Sequence, residues 1–149
     1  MSGLRKIAFF CYAVIAVVSA VLGSTYLVRD EFMPYHAEAL KTDWGALDAP
    51  LQTLLLALMR VAGAGWLALA LAIAALLAFA FSSRRIWARV TLPVLILIFY
   101  IPVLSVTLWV SSETGADVPW YGNAMAVAAT LVAIVCEFLD GPEESVESQ

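Results

Sequence analysis

Apolar positions in this chain do not alternate or recur at helical intervals; they run on almost without interruption. Four such runs, 7–28, 51–81, 90–110 and 120–139, contain no charged residue other than Arg60 and Glu137. Each has the roughly 20 residues that a helix needs to cross a hydrocarbon core of about 30 Å. A helix that is hydrophobic all round has no face for water, so protein or lipid must surround it. The pattern predicts an all-α, integral membrane four-helix bundle with a short interfacial helix or loop between helices one and two. The expected membrane domain is 1–140, with helices near 7–28, 49–81, 90–110 and 120–139. An acidic tail over 141–149 follows.

The polar segments set the expected orientation. Arg5 and Lys6 precede the first run, and Arg84, Arg85 and Arg89 lie between the second and third. The loop 29–48 and the loop 111–119 are acidic in balance. Short loops rich in Lys and Arg stay on the cytoplasmic side. Both termini are therefore expected in the cytoplasm of a bacterial cell with a multi-pass inner-membrane protein. Arg5-Lys6, an apolar stretch and Val18-Ser19-Ala20 also resemble a cleaved signal peptide. The run continues to Val28, however, which suits a spanning helix better.

Local signals refine each run. Asp48 is a candidate N-cap, with Pro50 in the first turn, and the second helix is expected to reach Phe81. That is about 45 Å at 1.5 Å per residue, so its first turns should protrude. Arg60 then falls near the outer hydrocarbon boundary, where a guanidinium can reach headgroups. Pro93 and Pro102 each remove a backbone donor from the third run, and Ser105 and Thr107 are candidates to satisfy the freed carbonyls or to bond across helices. Ala64, Ala68 and Ala72, and Gly122, Ala126 and Thr130, form small-residue ridges at four-residue spacing, expected mainly as packing faces within the bundle.

Composition narrows the classes. With 63% hydrophobic and 13% charged residues and a net charge of −4, the chain has no basic face for nucleic acid. Cys11 and Cys136 match no zinc or redox spacing and read as small packing residues. No catalytic residue, metal or cofactor is expected, since one histidine cannot build a metal site alone.

The loop 29–48 carries the candidate chemistry. Pro34 can start a short helix, and His36 is the single histidine of the chain. Tyr35, His36, Glu38 and Trp44, with Arg60 entering the membrane nearby, are the candidate ligand-binding residues. An imidazole, a carboxylate and an arginine under an aromatic lid suit an anionic headgroup, because the planar guanidinium fork holds two oxygens at once. The plainer alternative is a solvated His36 and an Arg60 paired with a loop carboxylate.

The stretch Leu58-Met59-Arg60-Val61-Ala62-Gly63-Ala64-Gly65-Trp66-Leu67-Ala68-Leu69-Ala70-Leu71 resembles the arginine-plus-glycine second helix of the DoxX-like small four-helix bacterial membrane proteins. The specific likeness covers that helix, with Ala70 where a second glycine often recurs. It implies a four-helix bundle rather than an activity.

Three functional classes follow. The first is a binding or accessory protein that takes membrane lipids or another amphiphile near Arg60, with a membrane-protein partner or a second copy as possible company. The second is a membrane enzyme or a quinone- or thiol-linked redox accessory. A transporter ranks last, because runs one, three and four lack a central charge.

Overall fold

The computed structural model describes residues 2–83 and 85–141. Arg84 and all of the expected acidic tail except Gly141 lie outside the described residues. Those described form five helices: α1 (Gly3–Val28), α2 (Pro34–Leu40), α3 (Ala49–Ala75, continued by a π-helical segment Leu76–Phe81), α4 (Ile86–Thr114) and α5 (Trp120–Leu139). A single 3-10 turn, Trp44–Ala46, precedes α3. Four of the helices are long and apolar enough to cross a membrane.

Side-chain caps explain where the helices begin. The Ser2 hydroxyl accepts the Arg5 N–H at 3.1 Å, so α1 starts four residues before its apolar run. Asp48 accepts the Leu51 N–H at 3.1 Å and Pro50 occupies the first turn, as expected. With its π-helical end, α3 runs for 33 residues, on the order of 50 Å. The helix α4 extends beyond the predicted 90–110 at both ends, because polar Arg89 and Ser111 are as compatible with helix as the apolar residues between them. It stops at Gly115, whose φ of 72° is a left-handed C-cap that a side chain would strain. The connection to α5 is therefore shorter than the loop 111–119 inferred from hydropathy.

Helix α1 packs along α3 on one side and along α5 on the other, and α5 also packs along α4. Trp66 of α3 closes the arrangement against Phe99 and Tyr100 of α4, with ring centroids 4.7 and 5.1 Å away. Helices α1 and α3 approach closely at Gly23 and Gly63. A Cβ on Gly23 would lie 2.8 Å from the Gly63 carbonyl oxygen, and one on Gly63 would lie 2.9 Å from the Gly23 oxygen. Only hydrogen fits between these backbones, which is how small residues let helices approach.

Two expectations need correction here. Ala64 and Ala68 face outward and Ala72 is half-buried, so their ridge is not the tight seam. The seam lies one residue away, through Gly63, because the buried stripe of α3 runs Met59, Gly63, Trp66, Ala70 and Ile73. On α5 the expected ridge is half right: Ala126 and Thr130 are buried, whereas Gly122 is exposed. Ser105 and Thr107 also miss the carbonyls that the prolines free. They donate to Ile101 and Leu104 of their own helix at 2.9 Å each, whereas Pro93 and Pro102 leave open the carbonyls four residues before them.

Candidate functional site

The helix α2 begins as the sequence suggests, with Pro34 at its first position. At its third position His36 turns back on the chain, and its Nδ1 accepts the Met33 N–H at 3.3 Å. Phe32, 5% exposed, anchors the segment. Its ring meets Trp44 edge-on at 5.1 Å and His36 edge-on at 6.3 Å. Tyr35 meets His36 edge-on at 4.3 Å and shares a hydroxyl hydrogen bond with Tyr26 of α1. This bond ties α2 to the end of α1, while Gln52 of α3 donates to the Trp44 carbonyl at 2.8 Å.

Between these elements is a cavity of about 370 Å³. Tyr26 of α1 forms one wall, His36, Ala39 and Leu40 of α2 a second, and Leu55, Leu58, Met59 and Ala62 of α3 the third. The lining is apolar apart from one phenol and one imidazole. Burial lowers the His36 pKa from its ordinary value. Burial and the Tyr26 hydroxyl raise that of Tyr35.

Of the five candidate residues, His36 lines the cavity and Tyr35 supports it through Tyr26. The other three do not line it. Trp44 lines a shallow polar hollow with Val28, Arg29, Asp30 and Glu31. Glu38 is exposed. Arg60 is exposed too, and among the described residues no hydrogen bond or ion pair engages it. At 3.6 residues per turn, Arg60 lies about 150° around α3 from the middle of the cavity-lining face. The anticipated clamp of imidazole, carboxylate and guanidinium is thus not assembled.

A second polar constellation, at the end of the molecule where α1 begins and α5 ends, was not anticipated. Glu137 of α5 is 5% exposed. The Tyr12 hydroxyl of α1 donates to its Oε1 at 2.7 Å, and Arg89 Nε of α4 faces its Oε2 at 3.4 Å. Arg89 also donates to the Glu137 carbonyl and, at 3.2 Å, to that of Gly141. Arg5 donates to the Phe81 carbonyl, with its guanidinium 5.0 Å from the centre of that ring. Helices α1 and α4 thus converge on a carboxylate of α5.

The sequence held a signal for this. Tyr12, Ser19 and Tyr26 recur every seven residues on α1, and Asn123, Thr130 and Glu137 do so on α5. Seven residues are about two turns, so each set occupies one face of its helix. All but Tyr26 are buried. Midway, the Ser19 hydroxyl lies 3.0 Å from the Tyr100 hydroxyl of α4. Polar groups along a helix interface act as interhelical glue where water is absent.

Compared with protein-family models, curated proteins and solved structures, the chain has no match.

Proposed function

We propose that this chain is a four-helix bundle crossing a bacterial inner membrane four times, and that it binds an amphiphile where α1, α2 and α3 meet. The cavity carries this reading, since it offers an open apolar groove with a phenol and an imidazole at its wall. Ligand sites commonly combine mostly apolar lining with a few placed polar groups. Both termini face the cytoplasm, supported by the basic residues Arg5, Lys6, Arg84, Arg85 and Arg89 on that side. The cavity then opens at the outer leaflet. The lining residues Leu40 and Leu58 are themselves exposed, which leaves the cavity open to acyl chains. The DoxX-like resemblance of α3 is consistent with such a bundle. Arg60, turned away from the cavity, anchors α3 at headgroup depth.

The test is native mass spectrometry of the full chain released from nanodiscs, with extraction of bound molecules. Wild type is compared with Ala62→Phe and Ala39→Phe, which fill the cavity from opposite walls, and with Arg60→Ala. We expect a discrete bound amphiphile in wild type and Arg60→Ala, absent from both filled variants. Bulk lipid alone in all four, or equal retention by the filled variants, rules the cavity out as a binding site.

A further inference from the structure

We infer that the polar head recognised in this cavity is a neutral hydrogen-bond acceptor, a carbonyl oxygen of quinone or ester type, held by the Nε2–H of His36. The inference rests on the reading that the cavity binds an amphiphile, and adds the chemistry of the head that it takes.

The imidazole tautomer decides the matter. The Met33 N–H donates to Nδ1, so that nitrogen carries a lone pair and no proton. A neutral imidazole has one donor and one acceptor nitrogen, and the proton is therefore on Nε2. Among the described residues no hydrogen bond engages Nε2, and it is not among the polar atoms sealed from solvent without a partner. The rings of Phe32 and Tyr35 hold the imidazole edge-on, so this donor has a fixed direction. His36 lines the cavity, and the inference assigns this donor to its occupant.

The rest of the wall says what kind of acceptor fits. No lysine or arginine lines the cavity, and the Tyr26 hydroxyl is engaged by Tyr35. An anion brought in would lose its hydration with no countercharge, a cost far above that of a neutral polar group. A carbonyl needs one donor and receives one. Burial also favours the uncharged imidazole, in keeping with a neutral partner. A space of about 370 Å³ is near the lower end of ligand pockets, and suits a single ring or the glycerol-ester region of a lipid, with the chain running out along α3.

The full-length chain, 15N-labelled in nanodiscs, gives one histidine spectrum because His36 is the single histidine. Three probes are added in turn: a decyl-substituted benzoquinone, a diacylglycerol, and phosphatidic acid. The inference predicts that at least one neutral probe binds and moves the Nε2 resonance while Nδ1 stays unprotonated. Which neutral probe does so assigns the source of the carbonyl. Binding of that probe to His36→Phe should weaken roughly tenfold, the scale of one hydrogen bond. The wild-type spectrum does not depend on that variant folding. Tighter binding of phosphatidic acid, with both ring nitrogens protonated, overturns the neutral-acceptor inference and leaves amphiphile binding intact. If none of the probes binds and the filled variants match wild type, the cavity reading itself fails and this inference with it.

Discussion

Tyr12 and Glu137, 125 positions apart in the chain, are joined by a hydrogen bond of 2.7 Å at the buried junction of α1 and α5. Arg89 completes the group from α4. Removing the Tyr12 hydroxyl leaves a buried charge one donor short, and hydrogen bonds to charged groups contribute about 1.5–3 kcal/mol. Tyr12→Phe is expected to lower the unfolding free energy in mixed micelles by about 2 kcal/mol. Arg89→Leu should cost more, about 3–5 kcal/mol, because it strands the carboxylate. Adding Glu137→Leu to Arg89→Leu should recover part of that loss. Strict additivity of the two substitutions would show that the pair is not coupled.

The glycine contact makes a sharper steric prediction. A Cβ on Gly23 would meet two backbone atoms, the Gly63 oxygen and the Leu67 nitrogen, as well as the Leu67 side chain, each at 2.8 Å, so α1 and α3 must separate to admit one. Gly23→Val should destabilise by about 1–3 kcal/mol, the usual range for overpacking. Ala64→Val, on the outward face, should be near neutral. Equal effects in the same unfolding assay would place the seam elsewhere.

His36 gives the α2 segment a pH dependence. Burial lowers its folded-state pKa below the ordinary 6.5, so the unfolded segment binds protons first as pH falls. The stabilisation is fully present above pH 6.5 and is lost progressively as pH falls toward the folded value. Protonation also removes the Nδ1 acceptor for the Met33 N–H. Amide exchange over 33–41, corrected for its intrinsic pH dependence, should therefore show falling protection below about pH 6.5. In His36→Gln that fall should disappear. An unchanged profile in the variant would assign the effect to another group.

Phe32 is the apolar anchor of the segment that carries His36. Phe32→Ala removes a buried ring packed between Trp44 and His36, a change that typically costs about 3–5 kcal/mol. The loss should be confined to this segment. Faster proteolysis within 29–48 is expected, with the Tyr12–Glu137 end unaffected. Resistance equal to wild type would mean that the Tyr26–Tyr35 bond suffices to hold α2.

Much of this architecture was legible in order along the chain. Asp48 with Pro50 marked the start of α3, Pro34 marked that of α2, and the four apolar runs marked the long helices. The single histidine identified the useful loop. The partners of His36 were less legible, because whether Arg60 turns toward it depends on the rotation of α3. That rotation is set by Gly63 meeting Gly23, a contact that no local pattern announces. Hydropathy likewise misjudged both ends of α4, since helices continue through polar residues until a cap such as Gly115 stops them.

The sequence by itself determined how many long helices form, where α3 and α5 begin, and that their surfaces suit a bilayer. Those properties follow from composition and from hydrogen bonds a few residues apart. The tertiary structure decided which faces meet, because a run that is apolar on every side carries almost no facial information. It brought Tyr12 to Glu137 and left Arg60 outside the cavity.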